Sequence, residues 1–186
     1  GRDRMVWRYD PVLFNERYPA EYHFRAFEAI AEGICGCTDK VVISFLDCYG
    51  KTKRNMRGIP LELPDEETMK RTGERFVKTA EKYGMTVESC AETVDLSEVG
   101  VRHGSCVDPA MIERILGVPV RMKKDKNQRP ECGCVESVET GAYDTCLCGC
   151  KYCYANDSEG AVMRRREEYD VDSPLLCGRV EEGDRI

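Results

Sequence analysis

A chain of 186 residues has the length of one domain with room for a substantial core. Its formal charge of −6 and pI near 5.2 disfavour nucleic acid as a partner, despite a basic run over residues 121–129. No run approaches the ~20 consecutive apolar residues of a membrane helix, so the sequence reads as soluble, with no membrane partner. Twelve cysteines in a chain this long and this helical are not needed as disulfide staples. Their close clustering favours metal in a reducing, cytoplasmic compartment. The chain opens on Gly1 and not on Met, so it reads as a fragment or a tagged or processed chain and leaves targeting undecided.

Residues 5–10 (M-V-W-R-Y-D) suit a strand that Pro11 ends. Pro19 opens a helix with Ala26, Phe27, Ile30 and Ala31 on one face and Gly33 as its stop. Residues 41–46 (V-V-I-S-F-L) form a near-continuous apolar run of strand length before Asp47, the pattern of a strand buried on both faces of a parallel sheet. A loop over residues 51–60 follows. Asp65 is the expected N-cap of a helix carrying Met69, Phe76, Val77, Ala80 and Tyr83, which Gly84 ends. Residues 86–91 are a third strand; Asp108 caps a short helix with Pro109 first, Met111, Ile112, Ile115 and Leu116 on one face, and Gly117 at its end. Residues 120–130 read as a solvated connection or a lid, and residues 136–145 as a weak fourth strand leading to Cys146. Ser158 caps a last helix through Arg166, and the tail beyond Asp170 reads as loosely ordered.

Strands alternating with helices predict an α/β fold of parallel strand–helix units, with the site at the C-terminal strand ends. Asp10, Asp47, Glu88, Cys90 and Cys146 fall at or just past those ends. An eight-stranded barrel takes ~250 residues, so the chain corresponds to about half of a TIM-like (β/α) barrel, or to an open sheet. The expected division is 1–130 for the partial barrel and 131–186 for a cysteine-rich segment of the same domain.

Cys146, Cys150 and Cys153 read C-x-x-x-C-x-x-C, with Tyr152 just before the last. Iron–sulfur cubanes take one thiolate per iron, so three cysteines hold three irons and leave the fourth open. Zinc is the competitor, with Cys132 and Cys134 as its second pair. Cys148, inside the loop, reads as a competing ligand or, more simply, as a buried thiol pointing away. Cys90, Cys106, Cys132 and Cys134 form a second set suited to a closed cluster or a structural zinc, the alternative being small buried residues in separate places. Cys35, Cys37, Cys48 and Cys177 read as structural or incidental. His103 reads as a loop residue beside Cys106, and His23 as exposed on the first helix. Arg8, Asp10, Asp47 and Glu88 are expected to face a polar cavity and to bridge one another.

The strings W-R-Y-D-P, V-V-I-S-F-L-D, E-S-C-A-E, K-D-K-N-Q-R-P-E-C-G-C and T-C-L-C-G-C-K-Y-C-Y-A-N together resemble an uncharacterised bacterial and archaeal family of unknown function. The C-terminal cysteines of that family look like the cluster of radical S-adenosylmethionine (SAM) enzymes. The resemblance implies a [4Fe–4S] cluster on Cys146, Cys150 and Cys153, SAM chelated at the open iron, and reductive cleavage to a 5′-deoxyadenosyl radical that acts on a further substrate. It implies a reductant such as ferredoxin or flavodoxin, a cofactor pocket shaped by Tyr152, Tyr154 and Asn156, and Cys90, Cys106, Cys132 and Cys134 as further family-type cysteines, which hold a second cluster if they share a site. Family members often carry His where this chain has Cys148, and they carry an additional N-terminal segment. The cluster loop follows the last strand and not the first, which looks like a circularly permuted barrel whose N-terminal half would complete the SAM site. The cysteine string is also similar to spore photoproduct lyase, although the acidic balance disfavours DNA. Two other readings stay open: a zinc-stabilised interaction module with no enzymatic activity, and an electron-transfer protein with fully ligated clusters.

Overall fold

Four parallel strands, β1 (Trp7–Val12), β2 (Lys40–Phe45), β3 (Thr86–Ser89) and β4 (Arg102–His103), lie side by side in chain order in the computed structural model. The structure describes residues 1–48, 50–173, 175, 177, 178, 180, 182 and 183, so the expected loose tail falls partly outside the described residues. The helices are α1 (Ala20–Gly33), α2 (Gly50–Asn55), α3 (Glu66–Lys82), α4 (Pro109–Leu116) and α5 (Glu159–Glu167). By its contacts the chain packs as two units, where composition suggests a boundary after residue 130. One is Gly1–Leu46 with Pro60–Ser137, the other Asp47–Ile59 with Val138–Ile186. Among the described residues no helix is long and apolar enough to cross a membrane.

In the first unit, register sorts the side chains into two faces. Arg8 is level with Val42, Val42 with Glu88, and Glu88 with Arg102. Side chains alternate along each strand, so Trp7, Tyr9, Val41, Ile43 and Val87 share one face while Arg8, Asp10, Lys40, Ser44 and Glu88 share the other. The apolar face is covered by α1 and α3. Phe27 and Phe76, both fully buried, stack with ring centroids 4.2 Å apart, and Trp7 and Tyr9 pack on them at 4.6 and 5.4 Å. Asp65 caps α3 by accepting from the Thr68 N–H at 2.8 Å, as its sequence position predicts. Both crossovers therefore run over the same side of the sheet.

The polar face is organised by ion pairs. Arg8 pairs with Asp10. Lys40 Nζ stands 3.0 Å from both Glu88 Oε2 and Asp108 Oδ2. Burial works against the Lys40 charge, but Asp108 and Glu88 outweigh it and hold the amine above its ordinary pKa. The expected bridging among these groups is thus observed for Arg8 with Asp10, while Glu88 takes Lys40 as its partner.

Several expectations are corrected. Pro11 does not end β1 but lies inside it, where the pairing with β2 shifts register between Tyr9 and Val12; an edge strand at an irregularity needs no N–H there. Residues 51–60 are not all loop, since Gly50–Asn55 is helical. Residues 136–145 form no strand: Val138, their one large aliphatic, is 87% exposed, so no burial drives pairing. The fourth strand is Arg102–His103, which places His103 in β4 and not in a loop. Ile30 and Leu116 are exposed on helix faces read as apolar.

His23 is buried and not exposed. Its Nε2–H donates to the Leu13 carbonyl at 2.8 Å, so Nδ1 accepts from the Tyr9 hydroxyl at 2.9 Å. Burial lowers its pKa, against the opposing pull of the Leu13 carbonyl, so the native ring is neutral. The unfolded chain takes up this proton near pH 6.5 and the native chain only at lower pH. Stability from this group is therefore complete above about pH 6.5 and is lost as pH falls through the native value. Urea melts between pH 7.5 and 5 should show this loss, and His23→Gln should flatten that part of the profile.

Candidate functional site

In the first unit, cysteines gather at the C-terminal edge of the sheet. Cys90 follows β3, Cys106 follows β4, and their sulfurs are 3.0 Å apart. Arg8 reaches from β1 to donate from Nη1 to Cys106 Sγ at 2.7 Å. Cys134 Sγ accepts from the N–H groups of Cys106 and Val107 at 3.2 and 3.3 Å, while burial and a hydrogen bond donated to Cys132 push its thiol up. Cys132 and Cys134 are buried and pack with Cys90, Ala91 and Val107. The four cysteines thus occupy one place and not separate ones. The Cys90 thiol donates to Cys106 and, with the Arg8 guanidinium, holds the Cys106 thiol well below its ordinary pKa; the same bond pushes Cys90 up. Arg8 is itself held above its ordinary value by Asp10.

Two glycines permit this convergence. A Cβ on Gly104 would fall 2.7 Å from Glu88 Cβ and 3.1 Å from the Ser89 carbonyl oxygen. A Cβ on Gly133 would fall 2.5 Å from Ser105 Oγ, so the C-x-C segment sits directly on the end of β4. The polar connection before it is partly ordered by this segment: Lys124 bridges Val135, and Asp125 N–H donates to the Cys134 carbonyl at 3.0 Å.

In the second unit, the loop from Asp144 to Asp157 is closed by its own stem. Asp144 N–H donates to the Ala155 carbonyl at 3.1 Å, the Asp157 N–H donates to the Asp144 carboxylate, and Asn156 Nδ2 donates to the Cys146 carbonyl at 2.6 Å. Gly149, at φ +65°, turns the loop, and Cys153 N–H donates to the Cys150 carbonyl at 3.1 Å. Cys146, Cys150 and Cys153 all line one cavity of about 520 Å³, with Asn156 and Met163. Cys146 and Cys150 are exposed and Cys153 is half-buried, which is unusual for free cysteines. Asn156 Oδ1 is buried with no hydrogen-bond partner in the structure. The bond to the Cys146 carbonyl fixes the amide nitrogen, so the unmatched atom is an acceptor.

Cys148 is exposed, not buried: its N–H and S–H donate to Cys146 and hold that thiol below its ordinary pKa. Tyr152 and Tyr154 are exposed and lie outside the residues that line the cavity; Tyr154 contributes its carbonyl to Lys51 Nζ at 3.3 Å. Lys51 also reaches Asp157 at 3.6 Å, and Asn55 joins the cavity wall. Both residues come from α2, a helix that the sequence pattern did not reveal. Cys35 lies near the Tyr83 carbonyl and Cys177 near Arg165. Among the described residues no three or more His, Cys, Asp or Glu side chains stand at the spacing of a single metal ion.

The family described as "Domain of unknown function (DUF1848)" matches residues 1–155. No curated protein and no solved structure matches the chain.

Gly104→Ala should cost about 1–3 kcal/mol, because its Cβ meets a strand that cannot move aside. Gly33→Ala, in a helix with nothing within 4 Å, should be neutral or slightly stabilising. Urea denaturation of the two variants checks both.

Proposed function

We propose that this chain, which belongs to the DUF1848 family, is an iron–sulfur protein of the radical SAM type. The observation that carries the reading is the cavity itself: Cys146, Cys150 and Cys153 open onto it together with the unmatched acceptor of Asn156. Two exposed thiols and a half-buried one on a closed loop suit a cluster that takes one thiolate per iron and leaves one iron open. The lack of a single-ion grouping is compatible with this donor set, since cluster ligands sit on different irons. When bound, the cluster and SAM would supply one-electron cleavage of the sulfonium and a 5′-deoxyadenosyl radical for an organic substrate.

The residues of the loop divide the remaining work. Cys148 directs an N–H and an S–H at Cys146 and so favours the thiolate that iron requires. Asn156 Nδ2 holds the Cys146 carbonyl, which leaves its Oδ1 as an acceptor that would suit the ammonium group of SAM. Lys51 fixes the far side of the loop through the Tyr154 carbonyl and Asp157. Tyr152 and Tyr154 would border the cofactor from the loop rim. The reducing electron would come from a small carrier protein of the ferredoxin or flavodoxin class.

The sheet of the first unit suits the same reading. Sequential strand order and crossovers on one side suit a segment of a (β/α) barrel, in which the charged face would turn inward. The cysteine loop comes after all four strands in the chain, which is the order of a permuted barrel.

Anaerobic reconstitution should load iron and sulfide on the wild-type chain, and the dithionite-reduced protein should give a cubane electron paramagnetic resonance signal that changes on adding SAM. Cys150→Ala should lose that signal and the release of methionine from SAM. Asn156→Ala should keep its iron but bind SAM about 10–100-fold more weakly. A cubane signal indifferent to SAM would favour electron transfer instead, and zinc without sulfide on this loop would sink the reading.

A further inference from the structure

We infer that Cys90, Cys106, Cys132 and Cys134 are the four ligands of a separate, closed metal centre holding one zinc(II) ion. The inference stands on the first unit alone and is independent of the function proposed for the cysteine loop. Three chain segments, the ends of β3 and β4 and the C-x-C stretch, deliver four sulfurs to one place. The 3.0 Å between Cys90 and Cys106 is too long for a disulfide, which takes ~2.05 Å. It is also shorter than the ~3.8 Å between two thiolates on a tetrahedral zinc with 2.3 Å bonds. No three of these sulfurs yet stand at single-ion spacing, so loading would open the Cys90–Cys106 pair and draw Cys132 and Cys134 in around the ion. The closeness of this pair favours a single shared ion over a cubane, in which each thiolate takes its own iron.

Two of the sulfurs already have hydrogen-bond donors aimed at them. Cys134 Sγ accepts from two backbone N–H groups, and Arg8 donates to Cys106 at 2.7 Å. Four thiolates on zinc carry a net charge of −2, and these donors are what such a centre needs to be stable at a half-buried place. Gly133 lacks the Cβ that would lift Cys134 off the end of β4. With four protein sulfurs no position remains for a substrate, so the centre is structural and its binding energy is folding energy. On loading, each thiol still protonated gives up its proton to solvent as its Zn–S bond forms.

The decisive experiment uses a variant with Cys146, Cys150 and Cys153 all changed to Ala, which removes the proposed cluster ligands. It should still purify with about one zinc per chain, and zinc X-ray absorption should give four sulfur neighbours at ~2.3 Å. Cys134→Ser in that background should lose the zinc and lower the melting temperature. Should the added change prevent folding, the absorption spectrum of the triple variant decides alone. Iron with sulfide retained by the triple variant would overturn the assignment in favour of a second cluster. Absence of metal, with a Cys90–Cys106 disulfide in alkylated peptides, would overturn it outright.

Discussion

The stacking of Phe27 on Phe76 against Trp7 and Tyr9 decides which side of the sheet is dry. Each of these rings buries enough apolar area for roughly 1.5–3 kcal/mol, and all of them lie on one face. Helices α1 and α3 must therefore cross on that side, and the chain adds strands in sequence order along one direction. The other face is left to Arg8, Asp10, Lys40, Ser44 and Glu88. Its charges are tolerable because they come as partners: Arg8 with Asp10, and Lys40 between Glu88 and Asp108.

This one-sidedness links the core to the thiols. Arg8 is on the charged face because Trp7 and Tyr9, its neighbours in β1, are on the dry one. From there its guanidinium reaches Cys106, which follows β4 in the chain and lies against Cys90 after β3. Gly104 is small because Glu88, level with Arg102 on the neighbouring strand, leaves no room for a Cβ. A sulfur-rich strand edge thus follows from a packing choice made by aromatic residues elsewhere.

What was legible in the sequence had a local cause. The Val41–Val42–Ile43 run gave β2, and the caps at Asp65, Asp108 and Ser158 all accept the N–H bonds that their positions predict. What was not legible depended on distant partners. Arg102 and His103 carry no strand signal and pair only because β3 presents an edge to them. Helix α2, G-K-T-K-R-N, has no apolar periodicity to announce it. His23 is polar by type, and only the Tyr9 hydroxyl and Leu13 carbonyl make its burial affordable. At the site, the spacing of Cys146, Cys150 and Cys153 was readable; the donation from Cys148 and the unmatched oxygen of Asn156 were not, because both arise from how the loop closes.

That closure has an entropic side. Joining the ends of a flexible loop costs a term that grows as about (3/2)RT ln n, and further order is lost as each residue is fixed. In the loop around Cys146 this loss falls on the protein itself, through the Asp144–Ala155 and Asn156–Cys146 bonds. A cluster built on the three thiols, as proposed, would find that part of the ordering already done.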